Sequence, residues 1–341
     1  MVSHSAKAQM VVGQDTLYGP EWIKYDQEYY KFYCNKDGLF QINYEDLAAA
    51  GIPVQSISGA QWQIWSLGKE VAIKVNNSGS WGPGDFLQFW GSKNRSTLDA
   101  FLFNNPGQEM LNPEYSLYTD STTYFLTWTS TGSINKRITI KESNPNLSVQ
   151  SYYMVDQLTE HHVAPFDQKH DPENVISYSS YEACEGFSTK EARLYQQTLK
   201  AGSPFSGNIP GRLSIRLAGN QRQHLLRISI NNQVQKTDTF YSFSMREYHL
   251  EIANDLLQND LLLKIEGTAS ELDYFVVSTI HFYYPKQPGT LTGTNESILI
   301  PSSPAIIPLQ NTGQGKLMMG AGMQEWIRPT LLNNQMYLEL P

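Results

Sequence analysis

The chain has 341 residues, 40% hydrophobic and 17% charged, with a formal net charge of −8. That length suits two or three domains rather than one core, and the composition belongs to a folded chain. The acidic balance, with no basic stripe to displace counterions, excludes nucleic acid as a partner, and no apolar run approaches the roughly 20 residues that a membrane-spanning helix needs. With 20 Tyr, 14 Phe and 7 Trp beside abundant Ser, Thr, Asn and Gln, the composition leans to half-buried pleated surfaces.

Residues 1–28 read as an extended leader. Within it, Ser5-Ala6-Lys7-Ala8-Gln9 has the A-x-A form of a signal-peptidase site, so residues 2–8 read as the stub of a clipped signal peptide, with a chance A-K-A as the alternative. A β-rich domain is expected over 29–147. Tyr29–Cys34 and Leu39–Tyr44 read as a hairpin about the turn Asn35-Lys36-Asp37-Gly38. Glu45–Gly51 reads as one or two helical turns, with acids at the start, Gly as the stop and Pro53 barring continuation. Trp62–Trp65 and Val71–Val75 read as strands about Gly68-Lys69-Glu70. Phe86–Trp90 is a fifth strand, bracketed by Gly82-Pro83-Gly84-Asp85 and Gly91, and Tyr124–Trp128 a sixth. Residues 96–103 read equally as short helix or strand, and Arg137–Lys141 closes the domain.

A second unit is expected over 148–286. Its start, 149–180, is irregular and polar. Five strands follow, at 211–217, 224–230, 246–252, 261–266 and 274–284, separated by turns at Asn231-Asn232-Gln233 and Leu257–Asp260. This pattern predicts a jelly-roll-like sandwich. Residues 287–341 hold a Pro/Gly/Thr linker and strand-like pieces at 298–300, 305–307 and 336–340, read as the start of a third unit. The fold class is therefore all-β with minor helix: β-sandwich domains, the second jelly-roll-like.

A search for chemistry yields little. His161-His162, His170, Asp171 and Glu173 cluster, but adjacent residues of a strand point to opposite faces and seldom share an ion, and H-E-x-x-H and C-x-x-C are missing. No metal and no cofactor is expected. Cys34 and Cys184 lack an electropositive setting, and Glu182 and Glu185 would raise the pKa of the latter; whether the two pair is left open. There is no G-x-S-x-G and no phosphate loop, since Gly82-Pro83-Gly84 lacks the Lys. Trp62, Trp65, Trp81 and Trp90 are candidate platforms for sugar rings, although Trp62 and Trp65 fall on opposite faces of one strand, which puts at least one in the core.

An ordered series of motifs then stands out. Tyr29-Tyr30-Lys31, Asp37–Ile42, Tyr44–Leu47 and Ala50-Gly51-Ile52 are followed by Gly84–Gly91, Leu98-Asp99, Asn112–Asp120 and Tyr124–Trp128, with Glu185-Gly186-Phe187 and Phe282–Pro285 in the second unit. In that order they resemble the non-catalytic region preceding the peptidase domain in C25 (gingipain-like) cysteine peptidases of Bacteroidetes, a region shared by relatives of the type IX secretion sortase. The resemblance covers most of residues 15–286. It implies an exported, multidomain, surface-associated protein whose catalytic Cys and His lie in a later domain, so no residue here is carried over as catalytic. It also implies O-glycan acceptors at Asp-Ser/Thr-x sequences, which makes Thr16 and Ser121 candidates.

The expected function is a non-enzymatic N-terminal module of a larger secreted or cell-surface protein, exported through the periplasm. It would support or present a downstream peptidase-like domain, or mediate surface contacts. Expected partners are that domain of the same polypeptide, secretion machinery, and a surface glycan or protein. The alternatives are a carbohydrate-binding module and a working part of a C25-type peptidase in type IX secretion.

Overall fold

The computed structural model describes residues 11–12, 15–16, 22–130, 134–167, 184–258, 260–289, 297–299, 301–309, 318–319, 325–333 and 335–340. The expected signal-peptide stub at 2–8 lies outside them. The chain divides into two compact units. One comprises 1–94, 120–142 and 317–328; the other comprises 95–119, 143–316 and 329–341. In this division residues 95–119 go with the second unit, 317–328 with the first and 329–341 with the second.

The first unit is a β-sandwich. One sheet has the order Tyr30–Cys34, Thr122–Trp128, Trp62–Ser66, Lys69–Val71; the other has Gly38–Asn43, Phe86–Gly91, Ile73–Val75. All pairs in both sheets are antiparallel. Period-two alternation gives each strand an inner face, and Trp62, Ile64, Tyr124 and Leu126 from one sheet join Ile73, Leu87 and Phe89 from the other in one core. Each fully buried side chain of this size contributes about 1.5–3 kcal/mol.

The expected strand over Val71–Val75 is two strands in different sheets. Lys69–Val71 pairs with Trp62–Ser66, and Ile73–Val75 with Phe86–Gly91. Buried Ala72 makes the crossing, and the turn ahead of it uses Leu67 and Gly68, at φ 49° and 73°. The helix is Tyr44–Ala49, where the Asp46 carboxylate accepts from the Asn43 N–H at 3.3 Å. Gly51, at φ 80°, stops it, and the Ile52 N–H turns back to the Leu47 carbonyl. Residues 99–102 are a 3-10 turn. A further small sheet in this unit pairs Thr139–Glu142 parallel with Glu325–Arg328.

The second unit holds two larger sheets. The five-stranded one has the order Met245–Ile252, Gly211–Gly219, Phe275–Lys286, Tyr153–Glu160, Ser297–Leu299; the four-stranded one has Leu194–Leu199, Leu261–Gly267, Gln223–Ile230, Gln233–Tyr241. Most successive strands alternate between the sheets; the exceptions are Gln223–Ile230 with Gln233–Tyr241, which pair as a hairpin, and Phe275–Lys286 with Ser297–Leu299, which share the five-stranded sheet. Leu213, Ile215 and Leu217 are buried in the first sheet, and Leu226, Ile228, Leu263 and Ile265 in the second. Among the strands of these two sheets that precede residue 287, three depart from expectation. Tyr153–Glu160 lies inside the stretch expected to be irregular, and Leu194–Leu199 and Gln233–Tyr241 are long polar strands. The described part of the final segment adds Ala305–Leu309, Gln335–Leu340 and Thr330–Leu332 as one antiparallel sheet of this unit.

Candidate functional site

The strongest concentration of polar groups lies on the outer face of the five-stranded sheet. It follows from period two: in Gly211–Gly219 the inward Leu213, Ile215 and Leu217 alternate with Arg212, Ser214 and Arg216. The register aligns these across the sheet. Arg212 faces Glu251 on one side and Tyr283 on the other, and Tyr283 faces Asp156. Ser214 lies between His249 and His281, and Arg216 between Glu247 and Thr279.

Contacts knit these rows together. The Arg212 guanidinium lies 4.5 Å over the Tyr283 ring, and the His281 and Tyr283 rings are parallel within 6° at 5.7 Å. The Asp156 carboxylate sits 3.0 Å from His281 Nδ1 and, with Glu114 and Glu247, holds the imidazolium form to higher pH than usual; burial works against it. Burial, above all, also raises the Tyr283 phenol. Ser214 Oγ meets His249 Nδ1 at 2.8 Å, and Arg216 donates to Glu247 at 2.7 Å and to the Met110 carbonyl at 3.1 Å. Arg212, Glu251 and His249 are exposed, while His281 and Tyr283 are half-buried.

Ser214, His249 and Glu247 have the residue types of a hydrolytic triad without its geometry. His249 Nε2 is 3.8 Å from Glu247, beyond hydrogen-bond range. The backbone N–H groups around Ser214 lie in the sheet plane and serve the ladder, so they cannot form an oxyanion hole above the face. These three side chains are therefore not arranged as a triad.

The residues singled out from the sequence take other places. Trp62 and Trp81 are buried with ring centroids 5.3 Å apart, so neither offers a face to a ligand. The Trp81 indole N–H donates to the Asn77 carbonyl at 2.8 Å. Trp65 is half-buried and stacked on Trp22 at 5.6 Å. Trp90 is half-buried on the outer face of its sheet, opposite Leu39. Ser121 Oγ donates to Asp120 at 2.7 Å. The side chain of Thr16 lies outside the described residues, as do His170, Asp171 and Glu173. His161 meets the Tyr195 hydroxyl at 2.9 Å, while His162 stacks on Tyr115.

Among the described residues no three His, Cys, Asp or Glu side chains group as a metal site would require, and no helix is long and apolar enough to cross a membrane. Cys34 and Cys184 are free, buried thiols, pushed up by burial to about 11 and about 12. Cys184 borders a cavity of about 620 Å³ also lined by Glu109, Phe243, Met245 and Arg246, and its thiol donates to the Phe243 carbonyl at 2.7 Å. A thiol so held is no nucleophile.

The polar face escaped the sequence reading because it is dispersed over four strands. Its signal was there, as polar residues at every second position of Arg212-x-Ser214-x-Arg216, Glu247-x-His249-x-Glu251 and His281-x-Tyr283.

No protein-family profile and no curated protein matches the sequence. Among solved structures the chain is similar to dimeric latent PorU from Porphyromonas gingivalis, with a TM-score of 0.59 and 12% identity, over 93% of this chain and 30% of that one. At that identity the likeness is one of fold, and the chain spans less than a third of the length of the protein it matches. Two further matches are a CBM36-1 domain of a multidomain xylanase from the hindgut metagenome of Trinervitermes trinervoides and a carbohydrate-binding module CBM36 in complex with calcium and xylotriose. They are 11% and 12% identical, with TM-scores of 0.23 and 0.21. Each covers 37% of this chain, and 95% and 98% respectively of the other. Those scores are too low to indicate a shared fold.

Proposed function

We propose that the chain is a non-catalytic β module of a larger exported protein, secreted or held at the cell surface, which supports or presents a downstream peptidase-like domain. One observation carries this reading: the fold likeness to latent PorU extends over 93% of this chain but only 30% of that one, as a module of a longer polypeptide would. The ordered motifs from Tyr29 to Trp128 support it independently, as does the lack of a built catalytic group on the polar face. The strand order of the second unit supports a jelly roll, with nine strands in two sheets and most successive strands crossing from one sheet to the other. Its partners are then the rest of its own polypeptide and the type IX secretion machinery. An antibody raised against the chain, used to weigh its product in producing cells and medium, tests this. A product outside the cytoplasm much heavier than 38.7 kDa is expected; one of that mass would overturn it.

A second reading, carbohydrate binding, is favoured by the hydrogen-bonding outer face of the five-stranded sheet, where Arg212 and Glu251 stand opposite each other. Tryptophan and tyrosine fluorescence during titration with oligosaccharides tests it, and a flat response across a broad panel argues it away.

A further inference from the structure

We infer that the outer face of the five-stranded sheet binds a neutral saccharide at Arg212, Glu251 and Tyr283. This rests on the carbohydrate-binding reading and moves its site from the tryptophans of the first unit to the second. A sugar's vicinal hydroxyls each donate one hydrogen bond and accept others, so they need a donor and an acceptor side by side. Arg212 and Glu251 supply that pair directly opposite each other on neighbouring strands, both exposed. The guanidinium is a planar fork of donors, and its stacking 4.5 Å over Tyr283 fixes its plane before a ligand arrives, which lowers the ordering cost of binding. The His281 ring stacks parallel to Tyr283 at 5.7 Å and so braces the tyrosine that carries the guanidinium. In the next row, His249 is exposed and its ring is oriented by the 2.8 Å contact with Ser214. The Met110 carbonyl on Arg216 bounds the face at its other end. Charge decides the class. Glu251 beside Arg212 would repel a carboxylate or sulfate at the same spot, whereas hydroxyls use both groups.

The test is calorimetric titration of the full 341-residue chain with cello-, xylo-, manno- and galacto-oligosaccharides, and with polygalacturonate as the charged comparator. Arg212→Ala, Glu251→Gln and Trp65→Ala are run in parallel, with circular dichroism to verify folding. The expected result is binding of a neutral oligosaccharide that weakens at least tenfold in the Arg212 and Glu251 variants and is unchanged in Trp65→Ala. Binding that survives Arg212→Ala but is lost in Trp65→Ala overturns the placement and leaves the carbohydrate reading standing. Preference for polygalacturonate overturns the ligand class. No binding of any probe by the unaltered chain overturns both the site and the reading it rests on.

Discussion

His224 and Asp273 meet in the interior of the second unit, Nδ1 to Oδ1 at 2.7 Å, with neither side chain exposed. The Gln221 N–H donates to the other ring nitrogen at 3.1 Å, so the proton sits on Nδ1 and is given to the carboxylate. Asp273 also accepts from the Leu225 and Ala269 N–H groups, at 3.1 and 2.8 Å. The imidazole stacks on Phe240 at 4.5 Å. One buried carboxylate thus ties two loops to a strand of the four-stranded sheet.

Asp273→Ala removes the carboxylate and orphans an imidazole N–H and two backbone N–H groups at once. The expected loss is about 3–5 kcal/mol, since each buried donor left without a partner costs about 1–3 kcal/mol. Urea unfolding followed by circular dichroism measures it. A loss below about 1 kcal/mol would show that water reaches the site freely.

Gly59→Ala tests packing in the first unit. A Cβ there would lie 1.8 Å from the Asn77 carbonyl oxygen and 2.5 Å from the Trp81 indole nitrogen, which are themselves hydrogen-bonded to each other. Because the nearer obstacle is backbone, relief requires the 77–81 loop to move. Destabilisation of about 1–3 kcal/mol is expected, with a change in Trp81 emission. Unchanged stability and emission would mean that the loop yields without cost.

The strands legible in the sequence were those that bury one whole face. Leu261–Gly267 alternates buried and half-buried residues without a break, and Phe86–Gly91 does the same between turn residues. Tyr153–Glu160 was missed because Met154, Asp156, Leu158 and Glu160 occupy the polar face, while Gln157 and Thr159 interrupt the apolar side. Gln233–Tyr241 was missed for a simpler reason: it is an edge strand, and seven of its nine residues are exposed. The tryptophans drew attention as platforms because burial is a tertiary property. Trp62 and Trp90 look alike in sequence, and only the packing of the two sheets puts the first inside.

His281 makes the stability of the second unit pH-dependent in a defined sense. Its hydrogen bond to Asp156, with the fields of Asp156, Glu114 and Glu247, raises its folded pKa above the ordinary 6.5 despite burial. The folded state therefore keeps its proton to higher pH than the unfolded state. That contribution is fully present below about 6.5 and is lost as pH rises through the folded value. In Asp156→Asn, the burial contribution should dominate, so the His281 titration moves down and the contribution reverses sign. NMR titration of the imidazole Cε1–H reads the first effect, and urea midpoints across the same pH range read the second. A His281 titration that does not move in the variant would show that Asp156 is not its main partner.

Cys34 and Cys184 give the last test. Burial raises both thiols, to about 11 and about 12, so the thiolate fraction near neutral pH is minute and access is closed as well. A chromogenic disulfide reagent at about pH 8, half a unit below the pKa of an exposed thiol, should react with neither in the folded chain and with both of the 2 cysteines after denaturation. Rapid labelling of Cys184 in the folded chain would mean that the reagent reaches the buried thiol through the cavity beside it. That would return a thiol to consideration as a reactive group and weaken the reading of this chain as non-catalytic. Cys184→Ser would then separate the two accounts. A structural thiol leaves a small packing defect and no change in chemistry, whereas a reactive one takes its labelling, and any activity that depends on it, away entirely.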